Sequence, residues 1–323
     1  MRKKILFTFD YEPFLGAKSG TTRKCLIEPT AALLNILNEY RIKAVFFIDT
    51  FYILNLRKRP ELESDYIKVT NQIKELYAKG HYVFPHIHPH WLDAKYLPEI
   101  KQYDLSDLEK YSLASVSNVQ VQDLFQQSFS LLSELDITYD TWGYRAGGWC
   151  IQPFSKYVKI FRNYHIRYDF SVLPYYKNEK QEQYFDFSQN KEKEPYPFQN
   201  DVNIADSKGE FSEFPISSIE INDKVKFLSR IVNKYLWTMK DKGFGDGTVA
   251  QTAALQSTKP GSEMISIDIL NIAKLNLYKA FLNENDYMHW ISHPKMFTRH
   301  RLKTFDKFLQ YARSKFEIEY DFI

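Results

Sequence analysis

Three histidines at alternate positions in the stretch FPHIHPHW are the residues best suited to chemistry: His86, His88 and His90. His86 and His90 are four residues apart. A turn after the strand would therefore bring both imidazoles to one ion, at the roughly 2.0–2.1 Å usual for zinc–nitrogen bonds. Pro89 stiffens that turn and restricts His88 before it. The spacing predicts His86 and His90 as metal ligands, and the alternative is a solvated histidine loop.

Two carboxylates, Asp10 and Glu12, follow an apolar run in FDYE. A catalytic zinc site commonly has three protein ligands and leaves one position for water. Two histidines and one of these acids complete that set. The other acid is then free to act as a general base on the water. The alternative is that one of the acids caps the following turn.

Three further polar residues follow later apolar runs. His293, in WISHPK, suits a general acid because a histidine pKa near 6.5 allows proton donation to a departing amine. Arg145, in GYRAGGW, always carries charge and is predicted either to orient Asp10 or to be structural. Asp169 either orients His293 or caps a turn.

The elements that must position these residues are short apolar strands alternating with helical patterns, about seven times. Helices are predicted from about Pro29 and over 65–79, where Gly80 ends the second, and also near 105–114 and 119–135. Repeated β-then-α units imply a parallel sheet with helices outside, in which the strand ends meet at one rim. We predict one α/β barrel domain over residues 1–323, with a polar surface excursion at about 175–209.

Composition excludes several classes of protein. Lysine plus arginine number 43 against 40 acidic residues, a net charge of +3, which gives no support for a nucleic-acid or membrane-surface protein, since those usually carry a clustered basic excess. No apolar run approaches the roughly 18–20 residues of a transmembrane segment, and the run 5–9 is too short for a signal peptide. Cys25 and Cys150 lack the spacing of a zinc or disulfide framework. A cytoplasmic protein is the expectation.

The ordered motifs FTFD, AVFFI, Gly80 with His86 and His90, YRAGGW and ISHP resemble those of the carbohydrate esterase family 4 (NodB-like) polysaccharide deacetylases. They span residues 8 to 295, nearly the whole chain. The resemblance implies a distorted (β/α)7 barrel and metal-dependent removal of acetyl from N-acetylated sugars, or occasionally from O-acetylated ones. It also implies a carbohydrate substrate and a divalent metal, Zn2+ first, with Co2+ or Ni2+ as alternatives.

The resemblance implies a role for six residues by their position in the motifs. They are the base Asp10, the metal ligands His86 and His90, the arginine Arg145, the fourth-motif aspartate Asp169, and the acid His293. The sequence has Asp10-Tyr11-Glu12 where the family usually has adjacent aspartates. Glu12 is therefore predicted as the acidic metal ligand, with Asp10 itself as the alternative.

Three residues have weaker expectations as substrate contacts. His88 is an addition to the family's pattern, and a contact with metal, with substrate or with neither is open. Trp91 and Trp149 adjoin the motifs and are predicted either to stack on a sugar ring or to pack in the core.

The function expected from the sequence is a hydrolase of carbohydrate metabolism: a deacetylase acting on an N-acetylated sugar in polysaccharide or glycoconjugate biosynthesis. One alternative is an amidohydrolase of a small linear or cyclic non-sugar amide on the same barrel. Another is a glycan-binding protein without catalysis.

Overall fold

A computed structural model describes residues 1–239, 241–250 and 255–323 of the chain. The helices are α1 Glu28–Tyr40, α2 Thr50–Arg57, α3 Glu63–Ala78, α4 Asn118–Glu134, α5 Val158–Asn163, α6 Asp223–Thr238, α7 Leu275–Glu284 and α8 Arg299–Lys315. The strands are β1 Arg2–Tyr11, β2 Val45–Asp49, β3 Tyr82–Ile87, β4 Lys95–Leu97, β5 Gln102–Asp104, β6 Trp142–Ala146, β7 Ile166–Asp169, β8 Tyr176–Asn178, β9 Phe185–Asp186, β10 Tyr196–Phe198, β11 Phe211–Glu213, β12 Ser218–Glu220, β13 Gln256–Ser257, β14 Ser262–Met264, β15 Tyr287–Ser292 and β16 Glu317–Glu319.

The main sheet has the strand order β10-β11-β7-β6-β3-β2-β1-β15, and β16 also pairs with β1. Neighbours from β11 to β15 are parallel, whereas β10 is antiparallel to β11. Strands buried on both faces, such as β2, are continuous apolar runs because helices cover the outside of a parallel sheet. The predicted α/β class and the distorted (β/α)7 barrel are confirmed.

The gap between β11 and β15 is bridged by irregular chain. Ser217 N donates to the carbonyl of His289 at 3.2 Å, and Ser217 Oγ accepts from His289 N at 2.9 Å. Ile265 N donates to the Ser217 carbonyl, and Ile291 N donates to the Ile265 carbonyl. These bonds satisfy buried backbone groups that a regular strand pair would otherwise satisfy. The distortion of the barrel is located here.

Aromatic rings fill one end of the barrel. Phe322, 4% exposed, lies with its ring centroid 4.6 Å from that of Tyr82, 5.4 Å from Phe170 and 5.9 Å from Phe84. Edge-to-face contacts of this kind add to the free energy gained from burying the rings. Packing therefore accounts for much of the aromatic content in this part of the chain.

Several local expectations differ from the structure. Residues 105–114 contain only the start of a short 3-10 turn at Leu113–Ser115 instead of the predicted helix. The polar stretch 175–209 contains β8, β9 and β10, and β10 joins the main sheet. Helix α6 was not predicted. Gly80 has the left-handed φ, +80°, expected of a residue that follows a helix.

The helices that the structure describes include none that combines the length and the apolar character needed to cross a bilayer.

His81 gives the fold a pH-dependent contribution to stability. Its Nδ1 accepts a hydrogen bond from Ala44 N at 3.2 Å, and burial lowers the pKa of His81 to about 4. The unfolded chain, with a histidine pKa of about 6.5, therefore takes up a proton first as the pH falls. The free energy of unfolding should decline between pH of about 6.5 and about 4. Denaturant titrations of the His81→Asn variant, whose amide oxygen replaces Nδ1, should give a smaller decline. Equal declines in both proteins would contradict the assignment.

Candidate active site

The polar residues singled out in the sequence lie at one rim of the barrel, where the parallel strands end. Cα register places Asp49 beside His86, His86 beside Arg145, and Tyr144 beside Asp169. A cavity of about 320 Å3 opens at this rim. Its lining includes Asp10, Glu12, His86, His88, Trp149, Asp268, His293 and Lys295. The predicted convergence of strand ends therefore produces a concave site.

Arg145 is fully buried and contacts several strands. Its Nη1 donates to Asp10 Oδ1 at 2.6 Å, Nη2 donates to Thr8 Oγ1 at 2.7 Å, and Nε donates to the carbonyl of Phe170 at 3.0 Å. The guanidinium also lies 4.4 Å from the ring centroid of Phe47. Of the two roles predicted for Arg145, the structure supports the ion pair that orients Asp10.

Asp10 has one oxygen fixed by Arg145 and the other directed into the site. Its Oδ2 lies 3.5 Å from His293 Nε2 and 3.9 Å from His86 Nε2. Burial alone would raise the pKa of Asp10, but the charges of Arg145, His86 and His293 lower it below its usual value. The carboxylate is therefore ionised and has a free oxygen, as a general base requires.

Glu12, His86 and His88 form a group that can hold a metal ion. Glu12 Oε2 lies 3.3 Å from His86 Nε2 and 2.7 Å from His88 Nε2, and the two nitrogens are 3.0 Å apart. All three residues are buried, and Glu12 Oε2 faces the two imidazoles. One carboxylate oxygen and two imidazole nitrogens are a ligand set of catalytic zinc sites. The residues present therefore fit a divalent metal.

The tautomer of His86 is set by a backbone contact. His86 Nδ1 lies 2.8 Å from the carbonyl oxygen of Arg145, which can only accept a hydrogen bond. The proton of neutral His86 is therefore on Nδ1, and the lone pair of Nε2 faces Glu12 and His88. Metal-binding histidines are commonly oriented in this way by the second ring nitrogen.

His90 is not part of this group, which corrects the predicted His86–His90 pair. It is buried with its ring stacked on Tyr111 at 5.2 Å, and neither ring nitrogen has a partner among the described residues. The backbone is extended through His88, so residues two apart share a face. Pro89 then begins a 3-10 turn that carries His90 away. The proline ends the strand after His88 and so determines which pair of histidines converges.

Lys295 pairs with Glu12, a contact that sequence reasoning missed. Lys295 Nζ lies 2.7 Å from Glu12 Oε1 and donates to the carbonyl of Pro13 at 2.7 Å. Burial would raise the pKa of Glu12, but Lys295 and the nearby His88 hold it well below its usual value. Lys295 comes from the short turn after β15, so its only signal in the sequence was its position two residues beyond His293.

His293 is oriented by Asp268 and not by Asp169, for which that role was one of two alternatives. Asp268 Oδ2 lies 2.7 Å from His293 Nδ1, and Asp268 Oδ1 accepts from the backbone N of His293 at 2.9 Å. Burial lowers the pKa of His293, but Asp268 and Asp10 outweigh it and raise the pKa above the usual value. His293 is therefore suited to carry a proton, with Nε2 directed toward Asp10.

Asp169 caps the turn that follows β7, the other role expected of it, and this turn contacts the end of β6. Asp169 accepts hydrogen bonds from Ser171 Oγ at 2.9 Å and Ser171 N at 3.2 Å, and Ser171 Oγ in turn accepts from Ala146 N. Glu213 is its register partner on β11. Burial raises the pKa of both carboxyls, and the neighbouring Asp169 raises that of Glu213 further. Glu213 is therefore protonated, and the pair has a structural place beside Arg145.

The two predicted tryptophans have different environments. Trp91 is 1% exposed and its Nε1 donates to Asp49 Oδ2 at 2.6 Å, so it packs in the core and does not line the cavity. Trp149 is half-buried and lines the cavity. Of the two tryptophans, Trp149 is therefore the one placed where a substrate could contact it.

His289 is a further buried residue that the sequence did not single out. Its Nδ1 lies 3.0 Å from the carbonyl of Phe214, and its Nε2 lies 3.2 Å from Arg145 Nη2. Burial and the charge of Arg145 lower the pKa of His289 to about 3, so it is neutral. A neutral imidazole with its proton on Nδ1 accepts from Arg145 without adding a second positive charge.

The geometry predicts which histidine variants lose metal. His88→Ala should weaken Zn2+ binding about 100-fold or more, because it removes a ligand, whereas His90→Ala should weaken it less than about tenfold. Calorimetric titration of each metal-free variant with Zn2+ would measure both, with His86→Ala as the positive control. If His90→Ala weakens Zn2+ binding more than His88→Ala does, His86 and His90 are the histidine ligands, as the sequence predicted.

Removing Arg145 should be costly for the fold. Arg145→Met leaves Asp10 buried without its partner, so the free energy of unfolding should fall by about 3–5 kcal/mol. Arg57→Met is the matched control, since it breaks an exposed ion pair with Glu134 and should cost about 1 kcal/mol or less. Denaturant titration compares the two. Equal losses would mean that the buried pair does not stabilise the barrel.

Comparison with known proteins adds the following. No protein-family model matches the chain, and no curated protein matches it. Solved structures that are similar to it include a putative polysaccharide deacetylase from Mycobacterium smegmatis. That structure shares 15% identity and a TM-score of 0.49, with 98% of this chain and 85% of the other covered.

Two other similar structures have different activities from each other. The catalytic domain of a peptidoglycan N-acetylglucosamine deacetylase from Eubacterium rectale shares 12% identity and a TM-score of 0.43, covering 98% of this chain and 87% of the other. Puue allantoinase shares 10% identity and a TM-score of 0.49, covering 98% and 86%. Deacetylases are thus among the similar structures, at identities of 15% or less and TM-scores below 0.5. The roles of individual residues rest on the geometry of this chain.

Proposed function

We propose that the protein is a divalent-metal-dependent deacetylase that hydrolyses the acetamide of an N-acetylated sugar in polysaccharide or glycoconjugate biosynthesis. One observation carries the proposal. An ionised carboxylate and a histidine suited to carry a proton face each other across 3.5 Å, from Asp10 Oδ2 to His293 Nε2. Beside them, in the same cavity, lies the group Glu12, His86 and His88. These are the parts that amide hydrolysis needs.

The ion would be held by Glu12, His86 and His88, with Zn2+ as the first choice and Co2+ or Ni2+ as alternatives. When bound, a divalent ion polarises the acetyl carbonyl and lowers the pKa of water to about 7. Asp10 Oδ2 takes the proton from the attacking water, while Arg145 holds the other carboxylate oxygen in place. Glu12 remains available as a ligand through Oε2 because Lys295 engages Oε1.

His293 completes the reaction as the acid. As the carbon–nitrogen bond breaks, Nε2 gives its proton to the departing amine, which leaves as the free amino sugar beside acetate. Asp268 holds the imidazole through Nδ1 and stabilises its positive charge. The base and the donor lie 3.5 Å apart, so Asp10 can take the proton of the water and His293 can protonate the amine at the same carbonyl carbon.

The cavity wall suits a sugar. Trp149, Phe14, Met264 and Ile269 contribute apolar surface to its lining. Sugar rings present apolar C–H faces that pack on aromatic and aliphatic side chains, while their hydroxyls need polar partners. The apolar wall and the polar rim together favour a carbohydrate over a fully polar metabolite.

We further propose a cytoplasmic setting, with a nucleotide-linked or lipid-linked sugar as the substrate. Both cysteines, Cys25 and Cys150, are free thiols in the core. Free thiols persist in a reducing compartment.

The proposal is tested by acetate release from a panel of N-acetyl sugars and nucleotide sugars, with and without a chelator. Release from at least one sugar, lost with the chelator and restored by Zn2+ or Co2+, is the expected result. The same panel includes small linear and cyclic amides. Hydrolysis of these amides alone would contradict the sugar substrate and favour a small-amide substrate. If the protein binds metal but hydrolyses no substrate of the panel, the proposed enzymatic function is wrong.

Two variants separate the acid from its positioning residue. His293→Ala should slow turnover by roughly 100-fold or more, because the departing amine loses its proton donor. Asp268→Asn should slow turnover less, by about tenfold, because the imidazole keeps its place but loses the neighbouring charge. Both should bind Zn2+ as the wild type does. Asp140→Asn, at an exposed position, is the matched control. Full activity of His293→Ala would show that another group is the acid.

A further inference from the structure

Helix α6 exposes a line of large apolar side chains. Phe227, Ile231 and Tyr235 recur every fourth residue and are 62%, 49% and 62% exposed. That spacing places them on one face of a helix. Leu228 beside them is 43% exposed, and Met239, just past the helix, is 64% exposed. Apolar residues scattered singly on a surface are ordinary, whereas a contiguous set on one face indicates an interaction site.

A second line on α6 is cationic. Lys226, Arg230 and Lys234 also recur every fourth residue, along one flank of the apolar line, between it and the buried side of the helix. Asp223, at the first turn, is the acidic residue of the helix, and it lies 3.6 Å from Lys226. That pair is solvent-exposed, so it neutralises little of the charge. An apolar face bordered by cations is the pattern of helices that lie in a membrane interface.

The opposite side of α6 is attached next to the catalytic cavity. Asn271, which is buried, donates from Nδ2 to Ser229 Oγ at 2.8 Å and to Asn233 Oδ1 at 3.0 Å. Asn271 is three residues from Asp268, which a chain spans in at most about 11 Å. Beyond α6, Val249 and Ala250 line the cavity itself. The helix is therefore anchored beside the wall of the site, with its apolar line facing outward.

We propose that α6 binds the surface of a membrane that contains anionic lipids. Phe227, Ile231 and Tyr235 enter the headgroup region, and Lys226, Arg230 and Lys234 face the lipid phosphates. Charge complementarity selects this partner, since an anionic leaflet attracts clustered cations while burying the apolar line. Binding of this kind uses the outer face of α6 and is independent of the reaction in the cavity.

The test is sedimentation of the protein with phosphatidylcholine vesicles, with and without phosphatidylglycerol. The wild type should bind the anionic vesicles at least about tenfold more tightly than the neutral ones, and added salt should weaken the binding. The double variant Phe227→Glu with Ile231→Glu should lose at least about tenfold in binding to anionic vesicles. Arg230→Glu with Lys234→Glu should lose the preference for them.

The matched control places glutamate at exposed apolar positions on other helices, Ile67→Glu with Val119→Glu, and should bind as the wild type does. Thermal unfolding checks that all variants are folded, which exposed positions permit. The proposal is overturned if the wild type does not bind anionic vesicles, or if the Phe227 and Ile231 variant binds as tightly. It is also overturned if the wild type is a dimer in solution that this variant dissociates, since a second copy would then cover the face. No substrate is needed, so the result does not depend on the deacetylase assignment.

Discussion

The buried ion pair between Arg145 and Asp10 is the interaction on which the rest of the site depends. A charge enclosed in the barrel must have a partner, since an unpaired one costs several kcal/mol. Arg145 meets that demand through Asp10 and, in the same contact, aims the second oxygen of Asp10 into the cavity. Its backbone carbonyl also fixes the tautomer of His86. One residue in β6 thereby positions both the proposed base and a proposed metal ligand.

The buried carboxyls divide into two kinds according to their partners. Asp10 and Glu12 each have a cation of their own, Arg145 and Lys295, so both remain ionised despite burial. The neighbouring pair Asp169 and Glu213 has no such individual cation among the described side chains, and burial raises both pKa values. The first pair has the charge that the proposed base and metal ligand need, whereas the second pair hydrogen-bonds to neighbouring backbone and to Ser171. Buried carboxyls of the same type thus differ in charge because a cation lies within a few ångströms of one pair and not of the other.

Sequence reasoning went furthest where backbone geometry leaves few choices. Parallel strands bring their ends to one rim, so Asp10, Glu12, His86, Arg145 and His293 could be grouped from their place after apolar runs. The choice between His88 and His90 depended on the residue at which the extended backbone after β3 gives way to a turn. It continues through His88, and Pro89 then begins the turn. Asp268 lies 25 positions before His293 in an irregular segment, so the pattern gave no sign of their contact. Helix α6 escaped notice because many of its apolar residues face outward and do not follow the core pattern.

The closing of the barrel around β1 has a consequence for folding. β1 pairs with β2 and, along residues Lys4 to Phe9, with β15, so its second pairing must wait for a strand that begins only at Tyr287. Asp10 and Glu12 precede β2 in the chain, whereas His293 and Lys295 follow β15. Until β15 and the turn after it are in place, Glu12 lacks its lysine, and the proposed metal ligands lack the proposed acid. The proposed site is therefore complete only once β15 has paired with β1, in a single long-range step of barrel closure.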